Sequence, residues 1–482
     1  MNLYWLYAKN PHVDRFLRKI PGIHAIKNTD RVTDEDIVIR YGEKVAPDRG
    51  FWVINRKQAL LTLHDRSSYL AYLHMAGVKT PSTTRKKPII WQRQYRVALF
   101  NAQVIGCFRT EQRIAWFTKR IHQVTDVFEE IEPFGDEQGK RVCHYAMRAL
   151  HALNLEMGLV SLGVTHHGKI GVIDVSATPY FVGRLATLYQ QALTDFFLNL
   201  QELYLRNREN KILIGSDLEF MLKGKNKQMV LASRYFLPNG EIGCDARSLA
   251  GDKNKRPLAE LRPKACDTPE ELCNAIEELI RQVARKINRP YPLLLAGSAP
   301  FERFGIGGHI HFSGIPFSGR FVHLLDLYLG LPLMLIEDPR TARRRRPKYG
   351  YLGDIRFKEY GGFEYRTPAS FLVDPSIALG TYALALTLAN HFDQMPYYDL
   401  HERRLLAAFY NNDRETLLDI AMAVYASLKE TSTYRQYQDA IDPIFWMIEK
   451  DEVWDEEIDL REAWGIEVMV LPPKRKADKA RR

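Results

Sequence analysis

Short runs of alternating hydrophobic and polar residues recur through the chain and predict strands, with longer 3.6-period stretches between them. Leu3–Tyr7 and 36–41 read as strands around a helical 11–18, a small α/β beginning. A helical stretch over about 56–76 stops at Gly77-Val78-Lys79-Thr80-Pro81, where glycine and proline end a helix. Residues 89–99 and 103–108 pattern as a hairpin across Asn101-Ala102, with Arg96 and Arg109 among apolar partners. An amphipathic helix at 142–155 precedes strands 159–164 and 170–175, joined by a turn at His167-Gly168. One long helix, 190–208, then carries the chain to a boundary near 206–210.

Beyond that boundary the pattern changes. Strands are expected at 212–222, 229–233, 258–263, 293–296, 308–313 and 363–367, with helices at 269–287 and about 318–337. A mostly helical final hundred residues begins at 375–391. This is an α+β pattern with an antiparallel sheet. The expected units are 1–208, 209–471 and a basic tail, 472–482.

The length of 482 residues allows two or three domains with ample core. No run of about 18 apolar residues stands out, so no membrane span is expected, and the N-terminus lacks the pattern of a signal peptide. Five cysteines without metal spacing fit a reducing, cytoplasmic setting. The net charge of +10 suggests nucleic acid at first sight. However, the last nine residues hold six Lys/Arg against one Asp, half of that excess, and no nucleic-acid motif accompanies them. Nucleic acid is therefore not an expected partner. Oligomeric state is not legible.

Candidate chemistry lies in the second unit. Asp217 and Glu219 stand two apart on a strand and project from one face, where two like charges call for a cation. Mg²⁺ satisfies that arrangement; a solvent-facing polar edge is the alternative. Glu260 and Arg262 share a face by the same period, as a surface ion pair or part of the same site. In Gly307-Gly308-His309-Ile310-His311-Phe312 both histidines share one face, which suits a metal ligand or a phosphate contact. The carboxylate surplus favours Mg²⁺ or Mn²⁺ over zinc. Arg343 to Arg346 read as a loop fixed by Pro347 and a Tyr349-Gly350 turn, either solvated or gripping phosphate, and Arg356 and Glu364-Tyr365-Arg366 follow.

In this order these motifs resemble the glutamine-synthetase-like carboxylate–amine ligases, the superfamily that includes glutamate–cysteine ligase. The matching residues are Asp217-x-Glu219, Glu260, His309-x-His311, Arg356 and Glu364-x-Arg366-x-Pro368. Residues 1–205 resemble the later part of an ATP-grasp domain through Arg96, the helix at 142–155, Gly158–Val164 and Asp174-Val175-Ser176-Ala177-Thr178-Pro179. That half departs from its family. Ser176 stands where a metal-binding Asn is expected and Thr165 where an acid is expected, and only Lys86 and Lys87 occupy the place of the glycine-rich phosphate loop. It is therefore expected to be degenerate. The joined layout resembles the PhiEco32-like type 2 amidoligases of phages and bacteria.

The resemblance implies an α+β, glutamine-synthetase-like antiparallel sheet domain cradling ATP and Mg²⁺ (or Mn²⁺), preceded by an ATP-grasp-like α/β domain. It implies ligation of a small-molecule or peptide carboxylate to an amine through an acyl phosphate. Asp217, Glu219, Glu260, His309 and Glu364 would hold the metals. Arg356, Arg366 and Arg346 would neutralise the transferring phosphoryl group, with Arg346, Arg356 and His311 meeting the nucleotide. No residue is singled out as general base. Two rival readings are a guanidino-kinase-like phosphotransferase on the same fold and a non-catalytic, basic-tailed nucleic-acid-associated protein.

Overall fold

A computed structural model describes residues 2–8, 10–42, 46–80, 90–111, 121–205, 211–359 and 361–467. Lys86, Lys87, the boundary at 206–210 and the 472–482 tail lie outside them.

The chain opens with a four-stranded parallel sheet of β1 (Leu3–Tyr7), β2 (Ile23–Ile26), β3 (Ile37–Tyr41) and β4 (Trp52–Ile54), in order β2-β1-β3-β4. Two of these strands, β2 and β4, escape sequence reading because three or four residues carry too little periodicity. The expected helix at 56–76 is two, Lys57–His64 and Arg66–Met75, broken at Asp65, whose side chain caps the second. An antiparallel sheet follows: β5 (Arg93–Phe100), β6 (Gln103–Thr110), β7 (Glu129–Ile131), β8 (Met157–Val164) and β9 (Ile170–Ser176), in order β7-β6-β5-β8-β9. Asn101 and Ala102 make the predicted turn between β5 and β6, both at positive φ. Helix Glu137–Ala152 packs on this sheet, starting earlier than its apolar period because Asp136 caps it.

The second half is built on eight antiparallel strands. They are β10 (Leu213–Lys223), β11 (Met229–Val230), β12 (Ile242–Cys244), β13 (Leu258–Leu261), β14 (Leu293–Leu295), β15 (Gly308–Ser313), β16 (Ile355–Phe357) and β17 (Phe363–Tyr365). The order is β12-β13-β10-β15-β17-β16, with β11 and β14 pairing farther along β10. Leu218, Phe220, Ala259, Leu261, Ile310, Phe312, Phe363 and Tyr365 are all buried at 1% exposure or less, and so line the core face. The α+β architecture is the expected one.

Helices cover that apolar face. The stretch Gly319–Ile336 has a mean hydropathy of 1.4, enough by length and composition alone to cross a bilayer, and it is buried throughout inside the protein. It is not an unbroken apolar run, since Arg320, His323 and Asp326 interrupt it, and it sits at the centre of the core. Pro375–His391 is likewise buried, with Asp374 and Pro375 starting it, and packs against Ser432–Glu449. One contiguous core contains residues of both halves, from Leu60 and Leu150 to Phe321 and Leu384. All five cysteines are free thiols.

A correction concerns the arginine run. Arg343, Arg344 and Arg345 end a helix, Pro339–Arg345, capped by Asp338 with Pro339 in its first turn; they are not a loop. Arg345, the last residue of the helix, and Arg346, the extended residue that caps it, are nearly fully buried.

Candidate active site

Register brings the predicted residues together on the other face of the second sheet. Glu219 pairs across the ladder with Glu260, and Asp217 with His309. His311 pairs with both Gly215 and Glu364, and Glu364 with Arg356. Side chains directly opposite on adjacent antiparallel strands share a face. Five strands thus contribute Glu260, Asp217, Glu219, His309, His311, Glu364 and Arg356 to one polar surface.

That surface is not a solvated edge. Glu364 is wholly buried, Glu219 is 1% exposed, His309 2% and Glu260 6%. Unpaired carboxylates cannot persist at such burial, so each must be answered by a cation or a donor. Arg247 donates to Glu219 Oε2 at 2.7 Å, and the Gly307 backbone N–H donates to the same oxygen at 2.8 Å. A Cβ at Gly307 would lie 2.6 Å from His309 Nε2 and 2.8 Å from the Tyr349 hydroxyl, so only glycine lets this N–H approach. Glu364 meets Arg356 Nε at 2.7 Å, Lys358 Nζ at 2.9 Å and Arg366 Nη1 at 3.3 Å. His309 Nδ1 lies 3.0 Å from Glu364 Oε1, and its Nε2 bonds the Tyr349 hydroxyl, which also donates to Glu219 at 3.4 Å. His311 Nε2 lies 3.1 Å from Asp217 Oδ2. Arg262 pairs with Glu260.

The electrostatics divide the acids. Burial opposes ionisation of Asp217, yet the His311 ring and Lys358 hold its carboxyl down at about 2. Burial also opposes ionisation of Glu364, and His309, Arg366 and Arg356 bring it well below the ordinary range. Glu260 goes the other way, pushed up to about 7 by burial and by repulsion from Asp217. Burial and Arg366 lower the pKa of His309.

Two triads have ligand atoms that lie within 4.8 Å of one another: Asp217, His309 and Glu364, and Glu219, Glu260 and His309. They share His309. Neither His309 Nδ1 nor His311 Nε2 has a well-formed hydrogen bond. Crowded carboxylates, one with a raised pKa, beside two histidine rings make a donor set that suits a divalent cation. The donor set fits Mg²⁺, with mostly oxygen ligands.

Arg346 is not among them. Its guanidinium pairs with the fully buried Glu337 and lies over the Phe409 ring. Arg346 ends the helix of 339–345 in an extended conformation, and its partner Glu337 holds it in the core. Sequence reading missed Arg247, Lys358 and Tyr349 as members of the cluster. Lys358 stands two residues beyond Arg356 and was legible from strand alternation; Arg247, in a loop after β12, carries no such signal. In the first half, Arg96 is buried over the Phe128 ring and Ser176 Oγ bonds His122 Nδ1 at 2.6 Å. A cavity of about 300 Å³ lined by Phe51, Trp52, Phe100, Phe196 and Phe317 shares no residue with the acid cluster.

The sequence profile of the phage phiEco32-like COOH.NH2 ligase-type 2 family matches residues 214–466, more than half of the chain and this sheet from the second residue of β10 onward. The chain belongs to that family. As a COOH.NH2 ligase it is an enzyme that joins a carboxylate to an amine. No curated protein matches the sequence. Solved structures similar to it include the ATP-grasp ligase PsnB complexed with minimal precursor, at 13% identity and TM-score 0.28, covering 40% of this chain and 99% of that one. Another is the complex between the prokaryotic ubiquitin-like protein Pup and its ligase PafA, at 11% and 0.35, covering 50% and 64%. A third is a bifunctional glutathione synthetase from Pasteurella multocida, at 10% and 0.32, covering 56% and 49%. Likeness at this level assigns no residue and no substrate.

Proposed function

We propose that this COOH.NH2 ligase uses ATP and Mg²⁺ to activate a substrate carboxylate as an acyl phosphate, which an amine then converts to an amide. The observation that carries this reading is the pair of acid–histidine triads sharing His309, ringed by Arg247, Arg356, Lys358 and Arg366. Asp217, Glu219, Glu260, His309 and Glu364 would hold Mg²⁺ (Mn²⁺ suits the same donors), whose charge, when bound, neutralises nucleotide phosphates.

The chain's own groups do the rest by position and charge. Arg356 and Arg366, held from below by Glu364, present fixed cations to a transferring phosphoryl group. Lys358 adds a third. His311, anchored on Asp217, orients the acid or touches phosphate. Arg346 has no part in this: it belongs to the core. We take residues 209–471 as the ligase unit and 1–208 as a degenerate ATP-grasp-like unit that supports it or presents substrate. An amino acid, a peptide or a cell-wall peptide suits the carboxylate.

Incubating the protein with ATP, Mg²⁺, a pool of peptides and amino acids, and hydroxylamine tests the activation step. An acyl phosphate yields a hydroxamate together with ADP. ADP release with a stable phosphorylated product and no hydroxamate would instead support the phosphotransferase reading.

A further inference from the structure

Helix Glu137–Ala152 of the first half ends against the segment of the second half that leads into β16. Arg148 and His151 stand three apart on that helix and so share a face. The Arg148 Cζ lies 3.8 Å from the centre of the Tyr351 ring, and the guanidinium donates to the Pro347 carbonyl. Its Nε donates to the Ala76 carbonyl, in its own half, at 2.8 Å. His151 Nε2 lies 2.6 Å from Asp326 Oδ2. The His151 ring also packs on Gly353, where a Cβ would lie 2.4 Å from its Cδ2.

Asp326 passes this hold on. It is nearly fully buried and opens a π-helical turn, Asp326–Gly330, a distortion frequent at functional sites. Its Oδ1 accepts from the Gly353 N–H at 2.9 Å and from the Tyr365 hydroxyl at 2.8 Å. A Cβ at Gly330 would lie 2.5 Å from that hydroxyl. Both oxygens of one buried carboxylate are thus answered, and a satisfied polar network fixes its members in a single arrangement. Apolar side chains of similar size would fill the space without the desolvation cost, but they carry no direction.

What is fixed is the frame of the acid cluster. Tyr365 stands in β17 between Glu364 and Arg366, and the Arg366 N–H donates to the Asp354 carbonyl at 2.7 Å. Gly353 stands three residues before Arg356. Between Pro347 and Gly353 lies Tyr349, whose hydroxyl bonds His309 Nε2 and Glu219. We propose that Arg148 and His151 are positioning residues of the acid site. Through Pro347, Tyr351 and Asp326 they set the 347–354 segment and β17, and so the place of Tyr349 and of the His309 ring that both triads share. The first half then completes the geometry of the site from outside it, an inference that rests on reading the acid cluster as the ligase site.

Mn²⁺ binding to the full-length protein, followed by the paramagnetic resonance of the free ion, reads the cluster without a substrate. The result therefore stands whether or not ligation is observed. His151→Leu removes the donor to Asp326, and His151→Gln returns an N–H. The Mn²⁺ dissociation constant should rise about 10-fold in His151→Leu, at the lower end of what groups behind metal ligands contribute. It should return most of the way to the wild-type value in His151→Gln, a rescue that loss of packing alone would not give. His151→Leu and Tyr349→Phe act through the same ring, so together they should weaken binding by less than the product of their separate effects. Wild-type affinity in folded His151→Leu, or a fully multiplicative double variant, overturns the proposal. If His151→Leu does not fold, Arg148→Met at its half-buried position takes its place: weaker Mn²⁺ binding supports the proposal and wild-type affinity overturns it.

Discussion

Tyr349 is an uncharged side chain that touches both triads, through His309 Nε2 and Glu219. Its hydroxyl fixes the ring of His309 while burial holds its own proton in place. Tyr349→Phe removes that tether without disturbing packing, and groups of this kind are worth about 10- to 100-fold. The expected outcome is a kcat lowered by about that factor, with an unchanged unfolding midpoint. Equal turnover in steady-state kinetics would remove Tyr349 from the site. Glu156 gives a residue-scale prediction about pH. Burial pushes its carboxyl up to about 7, although Trp52 Nε1 donates to both of its oxygens at 3.0 Å. The folded state therefore holds this proton more tightly than the unfolded chain. Stability falls as pH rises from about 4.5 to 7, and the full cost, on the order of 3 kcal/mol, stands above pH 7. Glu156→Gln should stabilise the protein at pH 8 and do little at pH 5 in denaturant titrations. The same offset at both pH values would contradict the assignment.

At the scale of elements, the site was legible where a two-residue period governs and illegible where it does not. Asp217 with Glu219, and His309 with His311, follow strand alternation, and a one-residue register slip would put every one of them in the core. Glu364 and Arg366 follow the same rule. The helix of 339–345 was hidden because four adjacent arginines have no amphipathic period, yet Asp338-Pro339 is a helix-start signal that outranks composition. That helix decides what the arginines do. Arg345 donates to the carbonyls of Thr367 and Pro368 at 2.8 and 2.7 Å, fixing the end of β17, and Arg346 answers Glu337. Arg346→Leu leaves Glu337 buried and unpaired, which should cost about 3–5 kcal/mol. Adding Glu337→Leu should restore most of it. Chemical denaturation of the two variants checks this, and a single variant that unfolds like wild type but binds ATP more weakly would return Arg346 to the phosphate site.

Across the whole molecule, the pattern was enough for an α+β protein with an antiparallel sheet, and the ordered motifs carried the resemblance to a ligase. They did not show that both halves share one core, because contacts such as those around Leu150 and Phe321 join residues far apart in sequence. Nor did they show the contact of His151 with Asp326, which lie on separate elements and meet only on folding. The acid-bearing face depends on that shared framework, since Phe321 of the Gly319–Ile336 helix packs on Phe312 and Phe363 of its strands. The most direct test of the central claim compares wild type with Glu219→Gln and Glu364→Gln under ATP, Mg²⁺ and a mixed carboxylate and amine pool. Wild type should release ADP and phosphate in equal amounts and form a product with the combined mass of two substrates less one water, and both variants should lose at least about a hundredfold in rate. Unchanged turnover in either variant, or a wild type that makes no such condensed product, would contradict the account.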